Sequence, residues 1–357
     1  MNQNLVKGLF ILLVVVDHNE FSRSLFPRFL EGFGFHVMGF MMIPFLRPAQ
    51  PWNRNLGQYV FRLYYPFFIL VSALSVAVAL LAPADPLEQA GRWLHSLYSG
   101  NALLLKDTTH MALLWFLPSF ISLVLVRSAI EYVGGPVRIA ALCALWLVHP
   151  FIGAVARQVE DVLPLGVLPA LYVLPLAYLG VWMHRSWFAP RGRLAAVLLG
   201  CSLFLLVKAG QMYFGFRNEI GFSSVADYRA PLALLFNDAE AVSGVLMVFQ
   251  LSRLPLGRLI EACGKYSLQV YLLHAFVALL VYKLLVRIVP GGDALAMFVV
   301  SLAATVLLTL PLARLCAEQP FLRRLLFPRS PHELVIAAPP GSAAAPSNHR
   351  AGENPGQ

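Results

Sequence analysis

The chain has 357 residues, 59% of them hydrophobic and 13% charged, with a mean hydropathy of +0.69 and a net charge of +9. Water-soluble domains carry about 25% charged residues, so this composition excludes a soluble core and places the chain in a lipid bilayer. The apolar runs do not alternate with polar residues, which excludes a membrane β-barrel and leaves an all-α, polytopic membrane protein. The basic residues sit in short loops between apolar runs, as in cytoplasmic loops, so the positive charge implies no nucleic acid.

Ten spanning helices are expected, each near the ~20 residues a bilayer requires. They run over roughly 4–19, 32–47, 57–82, 112–131, 136–154, 163–183, 193–214, 229–250, 266–288 and 294–315. The first apolar run lacks a small-x-small cleavage site and meets Asp17-His18-Asn19-Glu20 directly. It is therefore read as a retained helix rather than a signal peptide. Pro44 and Pro48 are expected to end or kink the second helix. With the N-terminus inside, the inner segments hold Lys7, Arg47, Arg54, Arg62, Arg127 and most other cations, while most acids lie outside. An even number of helices leaves both termini cytoplasmic. The longest outer loop, about 83–111, mixes aromatic and polar residues, as an interfacial segment or an outward-facing pocket does. Residues 1–330 make up the membrane domain, and 331–357, rich in Pro, Ala, Gly, Ser and Asn, is expected to be a disordered cytoplasmic tail. Cys143, Cys201, Cys263 and Cys316 are scattered singly, suggesting buried small hydrophobes; no metal site is expected.

Polar residues inside a membrane are costly and need an explanation. Lys7 and His18 lie eleven positions apart on the first helix. Eleven residues make about three turns and return to within ~20° of the starting direction, so both share one stripe, roughly 16 Å apart. A snorkelling lysine and an interfacial histidine explain that pair as well as a site does. His36 opens the second helix and could face His18 across a short outer loop. Arg62 opens the third helix, either as a positive-inside anchor or as a fork for phosphate. His110 and Trp115 flank the start of the fourth, where Trp115 suits an interface belt. Asp238 and Glu240 point in different directions on the eighth, so they do not face one ligand as a pair; a structural ion pair, as with an arginine, and a role in a site fit them equally. Ser267, Tyr271 and His274 fall on one face of the ninth, as a cavity-lining stripe or as helix packing. His149 and His184 sit at helix ends and are given no chemistry.

Together these pieces resemble the acyltransferase type 3 family of bacterial multipass membrane acyltransferases, over about residues 5–328. The family's Arg or Lys, ten residues, then His corresponds to Lys7 and His18, followed by Phe35-His36. Its third-helix arginine and Tyr-Pro correspond to Arg62 and Tyr65-Pro66, and its Trp-Phe-Leu-Pro to Trp115 through Pro118. The late pattern is met by Gly264, Ser267, Leu268, Tyr271 and His274, and the closing Glu-x-Pro-Phe by Glu318, Pro320 and Phe321. Two departures stand out. Many members carry two arginines three apart where Arg62 has only the more distant Arg54, and the Ser-Gly ending the second helix is replaced around Ile43-Pro44. No soluble hydrolase-like domain follows, as in short members that acetylate sugars.

The resemblance implies acyl-CoA, by default acetyl-CoA, as co-substrate, with no bound cofactor. Lys7, Arg62 and Arg54 would hold its phosphates. His18 would act as general base or carry the acyl group, oriented by Asp17, Glu20 or His36. Glu20, His110, Trp115, Tyr271 and His274 would surround the acceptor. That acceptor would be a sugar hydroxyl of an exopolysaccharide, a lipid-linked oligosaccharide or a surface glycan. The protein would sit in the bacterial inner membrane, among lipid and polysaccharide-assembly proteins. The alternative is a multipass glycan or lipid-linked-sugar transporter or flippase. The missing internal repeat and the lack of glycine-broken helix pairs weigh against it.

Overall fold

The computed structural model describes residues 2–25, 35–48, 56–57, 59–81, 85–159, 162–216, 231–328 and 333. Its first helix, α1 (Gln3–Asp17), starts where the Asn2 side chain accepts the Asn4 N–H and stops at His18. A short α2 (Glu20–Leu25) follows. The helix α3 (Phe35–Met42) tightens into a 3₁₀ turn, Ile43–Leu46, with Pro44 in its first turn. The expected proline break is therefore a 3₁₀ ending.

A π-helical turn, Val60–Tyr64, leads into α4 (Tyr65–Leu81). Pro66 has no N–H to give to the Arg62 carbonyl four residues back, and a widened turn relieves that mismatch. The expected long loop is instead two helices, α5 (Pro86–Ser99) and α6 (Ala102–Thr109). Asp85 and Asn101 cap them by accepting first-turn N–H groups. The remaining elements are α7 (Phe116–Val133), α8 (Gly135–Val159), α9 (Val167–Met183), α10 (Arg193–Phe214), α11 (Pro231–Leu251), α12 (Arg258–Lys265), α13 (Ser267–Ile288), α14 (Ala294–Glu318) and α15 (Pro320–Leu326).

The described residues form no strand, and seven of their helical stretches are long and apolar enough to cross a membrane. They coincide with the expected third, fourth and sixth to tenth spans. The other three expected spans do not reach that apolar length among the described residues, although α8 itself runs for 25 residues. The first helix has 15 residues, and Phe35–Leu46 and Gly135–His149 are apolar but brief. The expected tail 331–357 lies outside the described residues except for Glu333.

Burial sorts the helices. In the apolar windows of α7, α9 and α11, 61%, 67% and 67% of residues are covered by protein, against 22% around α4 and 28% in α14. The first group forms the centre and the second presents its apolar side chains to lipid. The centre also takes in α1, whose Phe10 and Ile11 are fully buried. The Phe10 ring meets Phe40 and Phe249 at centroid distances of 5.8 and 6.2 Å. Against α1 lies the short α12, at a distance only glycine permits. A Cβ on Gly8 would come 1.9 Å from the Ile260 carbonyl oxygen, and one on Gly264 1.7 Å from that of Asn4. This contact sets the start of α13 beside Lys7. Cys263 is buried there, and burial pushes its thiol up to about 11. The expectation of four buried cysteines is corrected: Cys143 is exposed and Cys201 and Cys316 are half-buried, because their helices face outward.

Candidate active site

A cavity of about 510 Å³ opens between α1, the α3 end, the π turn, α7 and the start of α13. Four cations line it: Lys7, Arg47, Arg62 and Arg127. No carboxylate lines it among the described residues. Phe40, Tyr59, Phe116, Phe120 and Tyr271 supply an aromatic wall, and Ser267 a hydroxyl. Lys7 and Arg62, far apart in sequence, thus meet at one site. Arg54 lies outside the described residues.

The sequence reading counted Arg47 and Arg127 only as loop cations. The structure gives them different jobs. Buried Arg127 donates to the carbonyls of Pro44 and Arg47 at 2.6 and 2.7 Å and to Glu131 at 2.6 Å. Its guanidinium also lies 4.4 Å from the Phe45 ring centroid. Arg127 therefore staples the 3₁₀ end of α3 to α7, and Glu131 offsets its charge. Arg47 donates to the neutral Gln3 amide at 2.7 Å and, among the described residues, meets no carboxylate on the cavity. Arg62 is exposed on the π turn. The Arg127–Glu131 pair at i, i+4 is a spacing the sequence shows, but the long-range partners of Arg47 and Arg127, a neutral amide and two backbone carbonyls, carry no sequence signal.

At the far end of α1, His18 takes the cap position. Both its backbone N–H and its Nδ1 reach the Val14 carbonyl, at 3.1 and 2.9 Å. That carbonyl, on the last turn of the helix, thus accepts both the backbone N–H and the imidazole. The Nδ1–H is assigned from this bond, which makes Nε2 the atom with the free lone pair. His18 is 32% exposed in its side chain, so Nε2 is within reach of a ligand. Asp17 Oδ2 stands between two histidines, 3.8 Å from His18 Nδ1 and 3.9 Å from His36 Nε2. Both separations exceed a hydrogen bond. His18 is thus oriented by a backbone carbonyl, with the Asp17 carboxylate acting through space. Glu20 is exposed at the first turn of α2.

The stripe on α13 divides. Ser267 and Tyr271 line the cavity, and the Tyr271 hydroxyl donates to the Leu113 carbonyl. His274, fully buried, packs on His18 with ring centroids 5.1 Å apart and ring planes at 84°. His110 and Trp115 are not brought to the cavity. His110 is the left-handed C-cap of α6 and exposed, and Trp115 packs beside Phe116.

A second polar cluster lies at the centre of the bundle. His149 and Tyr172 both reach Asp238, at 2.9 and 2.6 Å, and the two rings stack 4.2 Å apart. Lys208 reaches Glu240 at 2.8 Å, with both side chains buried. Among the described residues Asp238 is thus held by a histidine and a tyrosine and Glu240 by a lysine, the structural pairing that was one of the two expectations, and His149 is not idle. Pairing across helices, invisible in one sequence, decides this.

The chain matches the family model described as an acyltransferase domain, acyltransferase 3, over residues 3–314. It belongs to the acyltransferase type 3 family. No curated protein and no solved structure matches it. The match covers α1 through most of α14, so the cationic cavity and the His18–His274 contact both fall within the acyltransferase domain.

Proposed function

We propose that this membrane acyltransferase moves an acetyl group from acetyl-CoA to a sugar hydroxyl of an exopolysaccharide, lipid-linked oligosaccharide or surface glycan. The observation that carries the reading is the layout of α1. One end opens on a cation-lined cavity free of carboxylates among the described residues, and the other ends at His18. The two ends are roughly 16 Å apart along the helix. Lys7, Arg47 and Arg62 would bind the phosphates of coenzyme A. Its thin arm would then run along α1 and bring the thioester to His18.

At His18 the acceptor hydroxyl gives its proton to Nε2 while its oxygen attacks the thioester carbonyl. The carbon–sulfur bond breaks, and the coenzyme A thiolate takes the proton back from His18. A base of this kind contributes about 10²–10⁴-fold. Transfer through an acyl group carried on Nε2 is the second route this geometry allows, with the same net exchange. The positive-inside pattern supports a bacterial inner membrane with both termini and the cavity on the cytoplasmic side, where acyl-CoA is made.

Glycan analysis of the host carrying His18→Ala tests the reading. The expected result is a polymer of normal amount that has lost its acetyl groups, with the variant present in the membrane at normal level. Full acetylation in that strain sinks the role of His18, and loss of the whole polymer favours the transporter.

A further inference from the structure

The cavity and His18 leave one group at the site unused. His274 is fully buried, and its Nδ1 is held by the carbonyls of Tyr271 and Val270, at 2.6 and 3.2 Å. Both acceptors are carbonyls, so Nδ1 carries the proton and Nε2 presents a bare lone pair. That Nε2 is buried with no hydrogen-bond partner. An unmade bond of this kind costs about 1–3 kcal/mol. A ring needed only for packing could be leucine or phenylalanine at no such cost. The ring it touches edge to face is His18.

Resting on the acyl-transfer reading, we propose that His274 is a positioning partner of His18, whose bare Nε2 stabilises the positive charge His18 gains when it takes the acceptor proton. Since His274 is sealed from the cavity, it acts only through His18 and meets neither substrate. An imidazolium against a neutral aromatic ring with an open lone pair is favoured in a site of low dielectric. Asp17, Glu20 and His36 are the other titratable groups at this end, and Asp17 stands 3.8 Å from Nδ1 of His18. Asp17 adds to the same charge from the half-exposed side, and His274 from the buried side.

The test uses the purified full chain in detergent, with acetyl-CoA as donor and the host glycan as acceptor. His274→Phe keeps a ring against His18 and removes the lone pair. Its kcat should fall about 100-fold, within the range for loss of assistance to a general base, while KM for acetyl-CoA stays unchanged. His274→Gln puts an amide oxygen near the position of Nε2 and should recover at least a tenth of wild-type kcat. In a His18→Ala background, His274→Phe should lower the residual rate no further. A kcat within three-fold of wild type for His274→Phe overturns the proposal. So does an undiminished loss in the His18→Ala background, or a rise in KM of the same size as the fall in kcat. Failure of wild-type protein to use acetyl-CoA would instead refute the donor assignment, a result distinct from all of these.

Discussion

Charges occur inside this helical bundle in two settings. On α8 to α11 they are consumed: Lys208 by Glu240, and Asp238 by His149 and Tyr172. Around α1 they face open space: Lys7, Arg47 and Arg62 line a cavity with no carboxylate among its described walls. A buried pair is poor evidence for function, since two desolvated charges that meet each other have little left for a ligand. Cations collected on a cavity are held at an electrostatic cost through mutual repulsion, and an anion relieves it. The contrast separates residues that hold the bundle together from residues that wait for a substrate.

Breaking one partner at a time sharpens the contrast, and the largest effect should come from the closed setting. Lys208→Ala leaves Glu240 buried without its cation and should cost roughly 3–5 kcal/mol. Thermal unfolding of the detergent-solubilised protein should show the loss. Adding Glu240→Leu to Lys208→Met should restore most of the stability. Similar melting of Lys208→Ala and wild type would remove the distinction between the settings.

Arg127 belongs to both settings, because it lines the cavity and staples Pro44 and Arg47 to α7. Arg127→Ala should lower stability by about 1.5–3 kcal/mol, the range for bonds to a charged group. It should also raise KM for acetyl-CoA, because the wall bearing Arg47 loosens. A change in stability with no change in KM would make Arg127 a pure staple.

Arg47→Ala should have the smallest effect on stability, within about 0.5 kcal/mol, as for surface substitutions away from such pairs. Its effect should fall on KM for acetyl-CoA, raised roughly 10-fold by loss of one charged phosphate contact. An unchanged KM would remove Arg47 from the donor site.

How much of this was legible in the sequence depends on the range of the contact. Lys7 and His18 were visible because one helix carries both and its period is fixed. The same holds for Ser267 and Tyr271 on α13. The pairing of Tyr65-Pro66 with Arg62 was visible as a motif, and the missing N–H of Pro66 supplies its reason in the π turn. Arg47 and Arg127 were read only as loop cations, because the contacts that place them on the cavity, to an amide and to carbonyls, span more than forty residues; only the Arg127–Glu131 pair is local. His149 was dismissed, and the partners of Asp238 and Glu240 could not be named, for the same reason. The short outer helices α5 and α6 were missed as elements, although Asp85-Pro86 and Asn101 are good cap signals.

By itself the sequence determined the solvent of this protein, its helical class and the spacing along each helix, because composition and period are local properties. It also carried the family, since Lys7, His18, Arg62 and the α13 pattern keep their order along the chain. Only the tertiary structure decided which polar groups meet. It closed α12 on α1 through Gly8 and Gly264, so that α13 runs beside α1 from Lys7 to His18. That approach set His274 against His18, while Lys208 found Glu240 elsewhere. Whether a charge in the bilayer ends as a ligand site or as a bolt depends on what stands opposite it, and no single strand of sequence contains that.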